Sequence, residues 1–267
     1  MSLAVRKQLA AELTRMRLAA GLTQQQVAKK KIAVVETIRS IEKAERPIKP
    51  SYVQLLCELY APGDTVTRDR LLDMAATTEK GWWEPYRSTM DPHFLFFIQS
   101  ESISTQVCTY DSELLYGLLQ TPGYHRSVYA ADPSLPAQFL DREVQFRIER
   151  QKAALARTPP LKITTVLNAA ILERTFDGMD EQRQHLLSMA RQSFCDLYVL
   201  PWSAGLHAAM SGSFKILSSD LPDVPDVVYL ESSAGVRYTE EKDALQLYWD
   251  KFRSVRQQAV TLEEYLS

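Results

Sequence analysis

The sequence predicts two domains: an all-α head at residues 1–62 and an α+β domain with a mainly antiparallel sheet at residues 91–267, joined by a helical connector at 63–90. Apolar residues recur at helical spacing through the first sixty positions. Short β-rich segments, separated by Gly, Pro and Asp turns, fill much of the second half. A length of 267 residues also suits a small domain beside a medium one.

The first two helices of the head have recognisable ends. Leu9, Leu13 and Met16 fall on one face of the first helix, and the glycine that follows can end it in a left-handed conformation. Thr23 and Gln26 have the spacing of a capping box, in which each side chain bonds the other residue's backbone. A short second helix is therefore predicted to begin after Thr23.

Three further helices are predicted before the second domain. One at about 35–43 turns its two isoleucines inward. Ser51 and Gln54 form a second capping box, which opens a helix that buries the leucines at positions 55, 56 and 59. The last, at about 67–79, lies in the connector.

The second domain begins with an apolar helix and continues with mixed elements. Asp91 and Pro92 are an N-cap and a first-turn proline, and the helix they start is apolar nearly all round, hence buried. Trp82 and Trp83 are expected to dock the connector onto this domain. Other helices are predicted at about 122–131, 139–156, 180–193 and 241–259, and strands at 161–167, 196–200, 213–217, 226–230 and 236–239.

The composition excludes several classes of protein. With 45% apolar and 24% charged residues, it differs from collagen-like, disordered and coiled-coil chains. No apolar run reaches the roughly 18 residues of a membrane span, and the N-terminus lacks the apolar core of a signal peptide. Three distant cysteines without a CxxC spacing argue against a disulfide framework or zinc site. We expect a cytoplasmic protein with no metal or other cofactor.

Charge is distributed unevenly along the chain. Residues 1–60 carry eleven basic and five acidic side chains, a net charge of +6, which leaves −8 for the rest. A basic segment attached to an acidic body favours a nucleic-acid-binding module joined to a domain that does not bind nucleic acid.

Residues 22–42 have the type and spacing of a helix-turn-helix. In that arrangement the second helix enters the major groove of DNA, while the N-terminus of the first meets a phosphate. An ordinary small helical domain would show similar apolar spacing, and the basic charge of this segment favours DNA binding.

Two sets of motifs resemble known regulators. The pattern GLTQxxxA at 21–28, followed by IxxIE at 38–42, resembles the lambda-repressor/Xre-type helix-turn-helix family. Further motifs are similar to actinobacterial antitoxin-like regulators, in which such a head precedes a C-terminal domain of about 180 residues: GWW at 81–83, Tyr110, GLLQTP at 117–122, VLP at 199–201, SAG at 203–205 and VYLE at 228–231. The resemblance implies a transcriptional regulator that works beside a small partner protein.

The turn of the helix-turn-helix departs from that family. Residues 31–35 read KIAVV, with neither the glycine nor the capping hydroxyl that the family usually has, and losing such a cap costs about 1 kcal/mol. Glu36 stands where a neutral or basic base reader is expected. It would repel phosphate but could accept a hydrogen bond from a cytosine amino group.

The predicted DNA-binding residues have three roles. Gln24 is expected at the positive end of the second helix. Basic side chains are expected to hold phosphates: Lys29, Lys30, Lys31, Arg39, Arg46 and Lys49. Side chains on the recognition helix are expected to face the bases: Val35, Glu36, Thr37 and Ser40.

The second domain offers aromatic candidates for a binding site. A small-molecule pocket is mostly apolar with a few placed polar groups, yet large aromatic side chains are more often core. A small protein partner and a small-molecule ligand are therefore both expected occupants. The residues predicted for it are Trp82, Trp83, Tyr110, Tyr116, Trp202 and His207.

Catalysis is not predicted. The sequence has no phosphate-binding GxxxxGK[ST] loop, GxGxxG fingerprint, HExxH or GxSxG. One loop places Ser203 and Ser211 near His207, a pairing that a nucleophile and a base would need, although a strand-connecting loop explains it more simply.

These observations predict a DNA-binding transcriptional regulator that acts as a homodimer, because paired heads on paired half-sites supply affinity. It would associate with the nucleoid when bound to double-stranded DNA. The alternative is an antitoxin-like interaction protein whose head has weakened or lost DNA binding.

Overall fold

The structure is a computed structural model, and it describes residues 3–76, 81–220, 224–232 and 235–267. The chain divides into two compact units, Met1–Gly81 with Asp220–Val224, and Trp82–Ser219 with Pro225–Ser267. The predicted fold class is confirmed: a helical N-terminal part precedes an α+β domain. Within the described ranges, no helix is long and apolar enough to cross a membrane.

In the part of the chain that the structure describes, the first unit has five helices around one apolar core. Its buried residues include Leu9 and Leu13 of the first helix, both isoleucines of the third, and Leu71 of the fifth. The fifth helix packs on the first and fourth, and the part of it predicted at 77–79 lies outside the described residues. The helices are α1 Leu3–Ala19, α2 Gln24–Lys29, α3 Val35–Glu42, α4 Pro50–Tyr60 and α5 Thr65–Ala76.

The prediction of a capping box at Ser51 and Gln54 is wrong. Pro50 occupies the first turn of α4 and Lys49 is the N-cap, with no side-chain capping bond. The amide of Gln54 instead donates to Glu58. The buried face of α4 is formed by Val53, Leu56, Cys57 and Tyr60 rather than by the three predicted leucines, and Leu55 is 45% exposed.

The second unit places helices around a seven-stranded sheet. Four short 3₁₀ helices lie at Glu84–Thr89, Gly117–Leu119, Ala137–Phe139 and Trp202–Ala204. The α-helices are α6 Pro92–Ile103, α7 Pro122–Ala131, α8 Leu140–Leu155, α9 Ala169–Glu173, α10 Met179–Ala190, α11 Lys242–Gln258 and α12 Leu262–Leu266. The strands are β1 Gln106–Asp111, β2 Lys162–Asn168, β3 Cys195–Leu200, β4 Phe214–Ser218, β5 Val227–Ser232, β6 Gly235–Thr239 and β7 Val260–Thr261.

The strand order is β6-β5-β4-β1-β2-β3-β7. The pairs β1–β2 and β2–β3 are parallel, and the remaining four pairs are antiparallel, so the sheet is mainly antiparallel as predicted. Its two parallel pairings bring together the carboxyl ends of β1, β2 and β3.

Asp91 caps α6 as predicted, since its carboxylate accepts hydrogen bonds from the backbone of His93 and Phe94. Trp83 is buried in the core of the second unit. The ring of Trp82 lies 5.9 Å from that of Trp83 and 5.2 Å from Phe146 of α8. Both tryptophans therefore pack within the second unit.

Candidate nucleic-acid interface

The N-terminus of α2 has the predicted capping box. The hydroxyl of Thr23 accepts from the backbone N–H of Gln26 at 3.2 Å, and the Gln26 side chain accepts from the backbone N–H of Thr23 at 2.8 Å. Each residue fixes the other, so the turn between α1 and α2 is held in one conformation. Gly21 ends the preceding helix at φ +67°, where a side chain would be strained.

A buried ion pair fastens α3 to α1. Nε and Nη2 of Arg17 donate to the two carboxylate oxygens of Glu42 at 2.6 and 2.9 Å, and both side chains are nearly buried. A further guanidinium nitrogen donates to the carbonyl of Leu22 at 2.7 Å. The hydrogen bonds that Arg17 donates to Glu42 raise the pKa of Arg17. The pair therefore links the end of α1 to the end of α3, across the segment that contains α2.

Gln24 completes this cluster, since its amide nitrogen donates to Glu42 Oε2 at 2.8 Å. A side chain predicted to face phosphate is thus partly occupied in holding α2 against α3. The sequence does not identify Arg17 and Glu42 as a pair, because two opposite charges 25 positions apart follow no helical or strand periodicity.

The recognition helix α3 buries Ile38 and Ile41, as predicted, and turns its charged residues outward. Glu36 and Arg39 are exposed and form an ion pair of 3.1 Å. The hydroxyl of Ser40 donates to the carbonyl of Thr37 at 3.1 Å. As its sequence indicates, the helix has no side-chain cap at Val34.

A shallow surface depression of about 570 Å³ lies between the start of α2 and α3. It brings together three of the predicted DNA-binding residues, Gln24, Val35 and Arg39. Its other walls come from the end of α1, the following turn and the first turn of α2: Arg17, Leu18, Gly21, Leu22, Thr23 and Gln25.

The remaining predicted phosphate contacts are all exposed: Lys29, Lys30, Lys31, Arg46 and Lys49. Lys31 adopts a φ of +60°, a left-handed conformation that favours glycine, and the sequence has a lysine there instead. The chain thus makes the turn between α2 and α3 with a strained lysine, whose ammonium group faces solvent.

The aromatic residues predicted for ligand or partner binding have different settings. Tyr116 is buried and its hydroxyl donates to Glu101, while Trp83 is core. The hydroxyl of Tyr110 lies 3.4 Å from Nε2 of His207. Trp202 is 63% exposed, and its indole N–H donates to Glu173 at 2.8 Å.

Tyr110 and His207 therefore meet beside the carboxyl end of β1, where Asn168 of β2 also approaches the Tyr110 hydroxyl at 3.4 Å. His207 accepts from the backbone of Ala209 through Nδ1 at 3.3 Å. The hydroxyl of Ser211 accepts from Lys251 at 3.2 Å. Among the described residues, no cluster of three or more His, Cys, Asp or Glu side chains could hold a metal ion.

Comparison with known families gives two matches. Residues 8–71 match a helix-turn-helix domain, and residues 95–266 match a domain of unknown function, DUF5753. No curated protein and no solved structure matches the chain. The first match covers the interface described above and indicates a DNA-binding regulator.

Proposed function

We propose that this chain, which belongs to the DUF5753 family and carries a helix-turn-helix domain, is a sequence-specific DNA-binding transcriptional regulator. The observation that carries the proposal is the attachment of α3. Buried Arg17–Glu42 contacts hold this helix in place, while Glu36 and Arg39 remain exposed on its outer face. A rigid helix with exposed polar side chains is suited to reading base edges in a major groove.

In this proposal, charge supplies strength and α3 supplies sequence discrimination. The exposed lysines at positions 29, 30 and 31 contact phosphates together with Arg46 and Lys49. Val35, Glu36, Thr37 and Ser40 face bases. The protein acts as a homodimer of the Xre type on paired half-sites, and associates with the nucleoid through them.

The DUF5753 domain, we propose further, is no enzyme and binds a small protein partner or a small-molecule ligand. Such a site is supported by three side chains near the carboxyl ends of the parallel strands: Tyr110, His207 and the exposed Trp202. An antitoxin-like role with weakened DNA binding is the second candidate. It is favoured by the uncapped start of α3 and by the Glu36–Arg39 pair, which reduces the positive charge that α3 offers to DNA.

Salt dependence of DNA binding tests the first candidate against the second. Affinity of the full chain for pooled fragments of its own genome would be measured by fluorescence anisotropy between about 50 and 200 mM salt. The regulator should bind, and each phosphate contact should contribute about −0.9 to the slope of log affinity against log salt. No binding to any fragment, or an affinity insensitive to salt, would favour the antitoxin-like role.

A further inference from the structure

Arg147 of α8 carries a charge that the second unit does not neutralise. Its Nε atom is buried without a hydrogen-bond partner. Throughout the described part of the chain, Arg147 also forms no ion pair within 4 Å. A guanidinium group has five N–H donors and cannot shed its charge at neutral pH, so such a position is costly unless an acceptor is supplied.

One neighbouring carboxylate is already paired with another arginine. Arg150, one turn further along α8, donates to both oxygens of Glu101 at 2.8 and 2.6 Å. Glu101 also accepts from the Tyr116 hydroxyl. Burial and the nearby Arg150 lower the pKa of Arg147 to about 10. Glu101 is thus engaged by Arg150, while Glu143 and Glu231 raise the pKa of Arg147 through charge interactions without a direct bond to it.

Gly117 explains how two guanidinium groups fit side by side. A Cβ atom there would lie 2.5 Å from Nη1 of Arg147 and 2.7 Å from Nη1 of Arg150. Any side chain at this position would displace both arginines. Gly117 therefore lets Arg147 lie against the backbone beside Arg150, whose guanidinium is already paired with the carboxylate of Glu101.

His125 of α7 is a second group without a partner in the same region. It is 5% exposed, and neither ring nitrogen has a hydrogen-bond partner. Burial, with Arg147 and Arg126 nearby, lowers the pKa of His125 to about 4, so the ring is neutral and keeps one N–H to donate. The charge of Arg126 is matched by Asp141 at 2.8 Å.

We propose that Arg147 and His125 form a binding site between α7 and α8 for a small oxyanion, a carboxylate or phosphate group. The guanidinium supplies a planar fork of donors that fits either group, and the imidazole adds one further donor. Arg147 is only partly buried, so solvent reaches part of its side chain. The site gives the small-molecule form of the proposed function a ligand class, and it does not depend on DNA binding by the first unit.

Nuclear magnetic resonance of the full chain, labelled with ¹⁵N-histidine, gives a local readout because the sequence has four histidines. Sodium phosphate, sodium acetate and sodium chloride would be titrated separately at equal ionic strength. We expect phosphate or acetate to shift the ring signals of His125 with saturation, and chloride to leave them unchanged. If neither oxyanion moves these signals more than chloride does, the proposal is wrong. The arm that saturates first identifies the preferred group.

Thermal unfolding of Arg147→Met separates a binding role from a structural one. In chloride the substitution should raise the midpoint, because it removes an unmatched charge and retains an apolar side chain of similar length. In phosphate or acetate the advantage should shrink or reverse, and the dissociation constant read from His125 should rise about tenfold or more. The control, Arg142→Met, alters an exposed arginine of the same helix. A midpoint lowered equally in all three salts would show that Arg147 is purely structural.

Discussion

At the scale of single residues, Lys31 combines backbone strain with a predicted function. Its φ of +60° is a left-handed conformation that costs a residue with a Cβ roughly 1–2 kcal/mol. Its neighbour Lys30 has an ordinary φ of −77°. Both ammonium groups are exposed, so the two lysines differ in strain and share the capacity to meet a phosphate.

Substituting each lysine by glycine separates stability from DNA binding. Lys31→Gly should stabilise the first unit by up to about 1 kcal/mol because strain is released, whereas Lys30→Gly should destabilise it by roughly 0.5–1 kcal/mol. Both should weaken DNA binding and flatten the salt slope by about one unit. Denaturant unfolding and anisotropy titrations check these values. Equal stability changes would show that strain at Lys31 has no energetic consequence.

The Arg17–Glu42 pair should contribute far more than the exposed pair on α3. Glu42→Gln leaves a nearly buried guanidinium without its counter-charge, so we expect a loss of about 3–5 kcal/mol in the free energy of unfolding. Glu36→Gln makes the same chemical change in an exposed pair and should cost less than about 1 kcal/mol. Denaturant melts of the first unit compare the two. Similar losses would contradict the assigned role of the buried pair.

At the scale of elements, α3 is expected to decide which sequence is bound. Glu36→Gln removes the strongest acceptor for a cytosine amino group and releases Arg39, so base preference should change near one position and non-specific binding should rise. The control is Glu45→Gln, which removes the same charge from an exposed position beyond α3. Parallel DNA selections with both variants measure the effect. An unchanged site for Glu36→Gln would show that Glu36 does not read a base.

The pH dependence of stability should report on α7. The pKa of His125 in the folded chain is about 4, below its ordinary value of 6.5. Between those values the unfolded chain holds a proton that the folded chain lacks, so stability falls as pH drops through this window. His125→Gln should reduce the proton uptake on unfolding by up to about one relative to the unsubstituted chain. Denaturant melts between about pH 4 and 7 compare the two proteins, and identical profiles would contradict a buried neutral His125.

Capping-box spacing correctly predicts one helix start in this chain and misplaces another. Thr23 and Gln26 form the expected box, whereas α4 begins at Pro50, two residues before the start that Ser51 as an N-cap predicts. Strand β1 was not predicted at all. Nearly all its residues are buried, yet it ends in Asp111, whose carboxylate is stabilised by the charge of Lys215 and accepts hydrogen bonds from Thr109, Thr165 and the backbone of Tyr116. Such compensation from other elements has no local pattern.

At the scale of the whole molecule, periodicity was enough to predict the fold class, because it is a sum over many residues. The sheet order and the parallel pairing of β1, β2 and β3 depend on long-range contacts and could not be predicted. The same holds for the DNA interface. Its exposed basic residues could be predicted individually, but the Arg17–Glu42–Gln24 contacts that position α3 emerge only from the fold.

Selection of bound sites from a random DNA library by the full chain tests the central claim most directly. A homodimeric regulator should enrich a pseudo-palindromic sequence, with half-sites separated by about one helical turn, roughly 10–10.5 base pairs, or a multiple of it. The enriched site should be bound at least about 10³-fold more tightly than unrelated DNA. If repeated rounds return no sequence above the starting library, the chain does not read DNA and the proposed function is wrong.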